Sequence, residues 1–106
     1  EMSNDVEIVK GYIEKTLPKL LRDNKALSFS LAYCDTDLYG PTKVILDEVH
    51  PRLMKGGLFV FDEWNQDDLP GEGVAVREFL KRHGNEYESE SVRFTRKPSL
   101  ILKKIK

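Results

Sequence analysis

Residues 56–62, with the sequence Gly-Gly-Leu-Phe-Val-Phe-Asp, decide the fold of this chain. Four consecutive apolar residues, 58–61, stand between the two glycines and Asp62. An unbroken apolar run of this length is typical of a parallel strand that helices cover on both faces. The glycine pair predicts a reversal of the chain before the strand. We therefore predict a central parallel strand that ends at Asp62.

The residues before this strand predict two more strands with a helix between them. Residues 6–9 form a short apolar run that predicts a first strand. Thr16 is a suitable N-cap for the following helix, and Pro18 fits its first turn, where a missing N–H costs nothing. Residues 27–32 predict the next strand, which continues through Cys34.

Two further helices and a hairpin complete the predicted order. Pro41 begins a second helix, and Pro51 ends or bends it. Residues 75–83 place apolar side chains on one face of a third helix. Residues 87–95 and 99–105 read as strands, and the short link between them requires an antiparallel pair.

This order of elements predicts the fold class. Alternating strands and helices predict an α/β fold with a parallel sheet, and the C-terminal hairpin adds an antiparallel edge. A chain of 106 residues is expected to form a single domain, residues 1–106. Its 40% hydrophobic and 33% charged content is that of an ordinary globular protein.

Composition also bears on location and partners. No apolar run is long enough to span a membrane, so we expect no membrane partner. The single cysteine, Cys34, cannot form an internal disulfide, which favours the cytoplasm. The formal net charge is −1, but residues 91–106 hold six bases and no acid. This basic tail could bind nucleic acid, but a solvated edge hairpin explains it better, so we expect no nucleic-acid partner.

Acidic residues follow two successive predicted strands. Asp35 and Asp37 follow the first, and Asp62 and Glu63 follow the second. Ligands bind beyond the carboxyl ends of strands in open α/β sheets, so these carboxylates are expected to converge. Crowded carboxylates repel one another, and a hard divalent cation such as Mg²⁺ removes that repulsion. The alternative is that the acids face water, with Asp37 capping the next helix.

Several motifs carry a family resemblance, and they occur in order along nearly the whole chain. They are Thr16-Leu17-Pro18 after Gly11, Asp35-Thr36-Asp37-Leu38-Tyr39 with Thr42, Pro51-Arg52-Leu53, Gly56-Gly57 before Phe61-Asp62, and Pro70-Gly71 before Ala75-Val76 and Phe79-Leu80. Together they resemble the macrocin O-methyltransferase family, whose members methylate sugar hydroxyls.

The resemblance implies the C-terminal half of a class I methyltransferase domain with a partial Rossmann-like sheet. It implies S-adenosylmethionine as methyl donor, Mg²⁺ as cofactor, and a small hydroxyl substrate, possibly a sugar. Carried over by position, Asp35 becomes the general base and a metal ligand, and Asp62 a second metal ligand. Glu63 stands where the family usually has Asp, and Thr36 where it usually has Gly.

The cofactor-binding residues are not identified from this sequence. The glycine-rich loop after the first strand of such domains has no counterpart here. Gly71-Glu72-Gly73 is interpreted as an ordinary loop, because no strand precedes it and no second strand with a terminal acid follows about 20 residues later. We expect this chain alone not to bind S-adenosylmethionine.

Four other side chains are weighed as site residues. Tyr39 and Trp64 follow the acid clusters and either line a substrate pocket or pack at its rim. His50 and His83 are explained by packing and by the helix dipole, without a catalytic role.

Two rival interpretations remain at this stage. Asp35-Thr36-Asp37 also resembles the Asp-x-Asp element with which many glycosyltransferases hold a metal and a nucleotide sugar. Alternatively, the chain is a non-catalytic truncated domain. In that case the strand predicted for residues 6–9 lacks its sheet partners, and its exposed apolar edge predicts a dimer or larger homo-oligomer.

Overall fold

The computed structural model describes residues 6–36, 38–62, 71–92 and 99–106. Within these ranges the chain forms three α-helices and four β-strands. The helices are α1 (Ile13–Asp23), α2 (Tyr39–Val49) and α3 (Gly71–His83). The strands are β1 (Phe29–Cys34), β2 (Leu53–Phe61), β3 (Tyr87–Val92) and β4 (Ser99–Lys104).

The four strands form one mixed sheet in the order β1-β2-β4-β3. β1 and β2 run parallel, as the helix between them requires, while β4 pairs antiparallel with both β2 and β3. The predicted α/β class, the parallel central pair and the C-terminal hairpin are therefore confirmed. The hairpin strands are shorter than predicted, because β4 ends at Lys104 and β3 is described only to Val92.

The core lies on one face of the sheet, beneath the helices. Phe59 and Phe61 of β2 and Leu102 of β4 are fully buried there, against Val76 and Phe79 of α3. Phe79 meets Phe59 edge to face, with ring centroids 6.1 Å apart. This two-layer packing fixes α3, and with it the loop that follows β1.

The opposite face of the sheet is largely open in the described part of the chain. Leu31 and Tyr33 of β1 are 56% and 63% exposed. In β2, Leu58 and Val60 are half-buried, whereas the core residues Phe59 and Phe61 are fully buried. The prediction that helices cover the 58–61 run on both faces is therefore wrong for the described ranges. The alternating burial along β2 is that of a strand with one covered face.

The predicted first strand is not formed. Residues 6–9 have no regular structure, and Val6 and Ile8 are 59% and 73% exposed. A strand is stabilised by its hydrogen-bonded neighbour, and none of the described strands pairs with this segment. The helix after it begins at Ile13 rather than at Thr16, because the amide of Thr16 already donates to the carbonyl of Tyr12.

The glycine pair lies within β2 instead of reversing the chain before it. Phe29 pairs with Leu53, but Leu31 pairs with Leu58, so the register shifts at the glycines. Gly56 has φ +86°, which favours glycine, and a Cβ on Gly57 would lie 2.8 Å from the carbonyl oxygen of Met54. The pair therefore forms an irregularity of the bulge type in a continuous strand.

The segments before and after β2 complete the fold. Pro51 ends α2 as predicted, through a 3-10 turn over His50–Arg52. Gly71-Glu72-Gly73 forms the first turn of α3, so its interpretation as a loop is wrong. No helix in the described ranges is both long and apolar enough to cross a membrane.

Candidate functional site

Asp35 and Asp62 lie side by side at the carboxyl edge of the parallel pair. Cys34 pairs with Phe61, and the next residue in each strand is one of the two aspartates. The amide of Asp62 donates to the carbonyl of Cys34 at 3.1 Å, which extends the pairing to the point where both strands end. Asp35 is exposed and Asp62 is half-buried, so a ligand from solvent can reach this edge.

Three residues of the predicted site lie outside the described residues. They are Asp37, proposed as part of the acid cluster or as a helix cap, Glu63, proposed as a metal ligand, and Trp64, proposed as a substrate contact. The metal set of Asp35, Asp62 and Glu63 therefore stays a prediction. The backbone places its first two members next to each other.

A hydroxyl pair holds the loop between Asp35 and α2. Thr42 is fully buried, and its hydroxyl donates to the carbonyl of Leu38 at 2.7 Å. That bond uses its one proton, so the 2.6 Å contact with Thr36 is a bond that the Thr36 hydroxyl donates. Thr36, where the family usually has glycine, thus ties the residue after Asp35 to the first turn of α2.

The first turn of α3 packs directly against this loop. A Cβ on Gly71 would lie 2.7 Å from the backbone nitrogen of Tyr39, so the two segments touch through their backbones. The next residue, Glu72, is fully buried, and its charge acts on Cys34 at the end of β1. The sequence does not distinguish Glu72 from a surface acid, because its burial depends on how the first turn of α3 packs against this loop.

Cys34 is buried at the same strand end but is chemically inert. Burial, with a smaller contribution from the charge of Glu72, raises the pKa of its thiol to about 12. The thiol is therefore protonated at neutral pH, and a protonated, buried thiol is a poor nucleophile.

Tyr39 begins α2 and is bound to α3. Its hydroxyl donates to Oε1 of Glu78 at 2.6 Å, and this bond raises the pKa of the tyrosine. The residue as a whole is 38% exposed, so solvent reaches part of it. Its role in substrate binding stays a prediction.

His50 and His83 lie at the other end of the sheet. His50 precedes β2, whose carboxyl end carries Asp62, and His83 ends α3. Burial, followed by the nearby His83, lowers the pKa of His50 below its usual 6.5, so this imidazole is neutral at pH 7. Both histidines therefore lie away from the edge that carries Asp35 and Asp62.

The chain has clear relatives among known proteins. Residues 2–93 match the model of the family described as Macrocin-O-methyltransferase (TylF). Mycinamicin III 3''-O-methyltransferase of Micromonospora griseorubida is 29% identical over 83 residues, which are 78% of this chain and 30% of that protein.

Solved structures of O-methyltransferases also superpose on this chain. CalS11, described as a TDP-rhamnose 3'-O-methyltransferase of calicheamicin biosynthesis, superposes with a TM-score of 0.77 at 34% identity, over 90% of this chain and 40% of CalS11. The O-methyltransferase NovP superposes with a TM-score of 0.71 at 21% identity, over 91% of this chain and 36% of NovP, and shows the fold alone. The chain thus spans well under half the length of each of these relatives.

Proposed function

Because this chain belongs to the macrocin O-methyltransferase family, we propose that it carries the metal-binding and acid/base part of an S-adenosylmethionine-dependent O-methyltransferase that acts on a sugar hydroxyl. The observation that carries this proposal is the pairing of Cys34 with Phe61, which brings Asp35 and Asp62 to one edge of the sheet. The named relatives methylate mycinamicin III and TDP-rhamnose, which supports a sugar as the acceptor.

The donor set fits Mg²⁺. Asp35 and Asp62 offer carboxylate oxygens on neighbouring strand ends, and Glu63 follows Asp62 directly. Oxygen ligands with free positions for water or substrate are those that Mg²⁺ prefers. Bound there, Mg²⁺ would supply positive charge that makes an acceptor hydroxyl more acidic.

Asp35 is the proposed general base. Its exposed carboxylate accepts the proton that the acceptor hydroxyl loses as the hydroxyl oxygen takes the methyl group. The hydroxyls of Thr36 and Thr42 hold the loop after Asp35, so they position this carboxylate relative to Asp62. Tyr39 and Trp64 are the proposed substrate contacts, through stacking of the sugar on an aromatic face.

Metal binding by this chain tests the proposal directly. We expect Mn²⁺, used as a paramagnetic stand-in for Mg²⁺, to bind the wild-type chain and to be displaced by excess Mg²⁺. Asp62→Asn should weaken binding at least tenfold, because it removes one of the three proposed anionic ligands. The matched control is Asp23→Asn. Asp23 is an exposed acid on α1 that pairs with Lys19, so this variant should bind Mn²⁺ as the wild type does. Equal Mn²⁺ affinity in both variants would contradict the proposed metal site.

S-adenosylmethionine is proposed to act with this site, but not to bind this chain alone. The chain contains no glycine-rich loop of the type that holds the cofactor in such domains. Calorimetric titration should therefore show no binding of S-adenosylmethionine. Micromolar binding would mean that the cofactor contacts include residues of this chain that we have not identified.

We also propose that the isolated chain forms a homo-oligomer. The edge predicted for residues 6–9 does not exist, but β1 is an edge strand of the described sheet and carries the exposed Leu31 and Tyr33. An apolar, unpaired edge is a template for strand pairing between copies. Light scattering should give a dimer or larger species that Leu31→Lys shifts towards monomer. A wild-type monomer at high concentration would contradict this proposal.

The two remaining interpretations are weaker. A glycosyltransferase is not proposed, since the family is one of methyltransferases. The free, buried Cys34 is consistent with a reducing compartment, and a cytoplasmic location is proposed on that ground. The alternative to an enzyme is a non-catalytic domain that oligomerises. A wild-type chain that does not bind Mn²⁺ would favour this alternative.

A further inference from the structure

Two histidines and a glutamate meet at the end of the sheet opposite the aspartates. His50 follows α2, His83 is the last residue of α3, and Glu86 lies in the 3-10 turn Gly84–Glu86 before β3. Nε2 of His50 lies 3.9 Å from Oε1 of Glu86, and Nδ1 of His83 lies 2.8 Å from Oε2. One ligand atom from each residue lies within 4.8 Å of the others.

The His50 ring is held with one nitrogen facing this cluster. Its Nδ1 lies 2.7 Å from the hydroxyl oxygen of Tyr87, and the ring packs edge-on against Phe79 at 5.2 Å. In the neutral tautomer with Nδ1–H, that nitrogen donates to Tyr87 and leaves the lone pair of Nε2 directed at Glu86. Metal-binding histidines usually have the second ring nitrogen bonded in this way, because the bond fixes both the tautomer and the ring.

We propose that His50, His83 and Glu86 form a binding site for a divalent transition-metal ion, with Zn²⁺ as the ion that fits best. Two imidazole nitrogens and one carboxylate, with a fourth position open to water, are a common zinc ligand set. Bond lengths of about 2.0–2.1 Å in a tetrahedron place donor atoms roughly 3.3 Å apart. The two donor separations of 2.8 and 3.9 Å lie on either side of that value, so small side-chain rotations suffice.

The charges around the cluster permit a cation there. Glu86 contributes a negative charge, and Asp47 of α2 acts on His50 in the same sense. Lys104 of β4 opposes them, but its ammonium group is directed at the carbonyls of His50 and Leu53, at 2.7 and 3.0 Å. Because Lys104 keeps its charge near the cluster while Glu86 and Asp47 offset it, we expect moderate affinity, in the micromolar range.

The site would act as a clamp between elements. It joins the end of α2, the end of α3 and the turn that enters β3, which are distant in the sequence. An ion that binds only the folded chain stabilises it. The nitrogen donors also separate this site from the aspartate edge, because imidazole selects Zn²⁺ and carboxylate oxygens select Mg²⁺. From Leu53 to Phe61, β2 lies alongside the six residues Phe29–Cys34 of β1, so its two ends are roughly 17 Å apart.

The test is titration of the wild-type chain with Zn²⁺ in the presence of excess Mg²⁺. We expect one saturable Zn²⁺ site per chain, a higher melting temperature with Zn²⁺, and the absorption bands of a tetrahedral site when Co²⁺ is used instead. His83→Gln and Glu86→Gln should each weaken Zn²⁺ binding at least tenfold, and Glu88→Gln, an exposed acid on β3, should not.

The outcomes separate this site from the proposed methyltransferase site. Asp62→Asn should retain Zn²⁺ binding, and His83→Gln should retain Mn²⁺ binding at the aspartate edge. His83→Gln removes a half-buried ring, so circular dichroism of each variant confirms folding before titration. Absence of saturable Zn²⁺ binding below 100 µM, or wild-type affinity in both folded ligand variants, would overturn the proposal.

Discussion

Replacing Thr42 with valine isolates the hydrogen bonds that hold the loop between Asp35 and α2. Valine has nearly the volume of threonine, but it places a methyl group in the fully buried position where the hydroxyl makes two short polar contacts. Two bonds disappear, the one that Thr42 donates to Leu38 at 2.7 Å and the one that it accepts from Thr36 at 2.6 Å.

The loss of stability depends on the hydrogen bonds that the Leu38 carbonyl and the Thr36 hydroxyl can still make in the variant. The carbonyl of Leu38 still accepts from the amide of Thr42 at 3.3 Å, and the half-buried Thr36 hydroxyl can turn to water or to Leu38. Neither partner is stranded, so each lost bond costs its ordinary net value of about 0.5–1.5 kcal/mol. We expect Thr42→Val to lower the free energy of unfolding by about 1–3 kcal/mol, which lowers the melting temperature of a domain this size by at least about 4 °C.

Urea unfolding followed by circular dichroism measures this difference. Thr16→Val is the matched control, because Thr16 lies half-buried on α1, away from this network, and should change stability by less than about 0.5 kcal/mol. The same Thr42→Val variant should weaken Mn²⁺ binding, since the loop positions Asp35. A Thr42→Val chain as stable as wild type, with unchanged Mn²⁺ affinity, would refute the role assigned to the two hydroxyls.

Two further predictions concern β2 and Cys34. Gly57→Ala should lower the unfolding free energy by about 1–3 kcal/mol, because the new Cβ would lie 2.8 Å from the carbonyl of Met54. Gly84→Ala, where a Cβ meets nothing within 4 Å, should be near neutral in the same urea titration, and equal effects would contradict the packing argument. The unfolding free energy should fall between pH 9 and 12, since the thiol of the unfolded chain loses its proton near its ordinary pKa of 9.0 while burial holds the pKa of folded Cys34 at about 12. Cys34→Ala should make this decline shallower, and an unchanged slope would show that the folded thiol ionises normally.

Much of the sheet could be predicted from the sequence because its main features depend on local signals. Parallel strands need a crossover such as the helix between β1 and β2, and the short link between β3 and β4 requires an antiparallel pair. The strand predicted for residues 6–9 failed because a short apolar run becomes a strand only beside a partner. The glycine pair at 56–57 predicts a turn, but turns and bulges both call for a positive φ, so the sequence alone does not distinguish them.

The aspartate site was partly predictable for a similar reason. Asp35 and Asp62 lie together because the carboxyl ends of parallel strands meet at one edge of the sheet, which is also where ligands bind in such folds. This inference needs no side-chain detail. The roles of Thr42 and Glu72 were not predictable, because both depend on how α2 and α3 pack on the loop. Glu72 is a polar residue in a segment rich in glycine, and only the burial of the first turn of α3 distinguishes it from a surface acid.

The histidine cluster at the opposite end of the sheet also could not be predicted from the sequence, because it depends on how the helices pack. His50 and His83 are 33 positions apart, and they meet only because α2 and α3 pack side by side, with ring centroids 4.3 Å apart. Each histidine alone has an adequate explanation in packing or in the helix dipole, so the sequence offers no reason to pair them. Packing places nitrogen donors at one end of β2, while strand pairing places oxygen donors at the other. The two ends of one strand should therefore select different metals, and a chain that binds Zn²⁺ and Mn²⁺ in competition for one site would disprove that division.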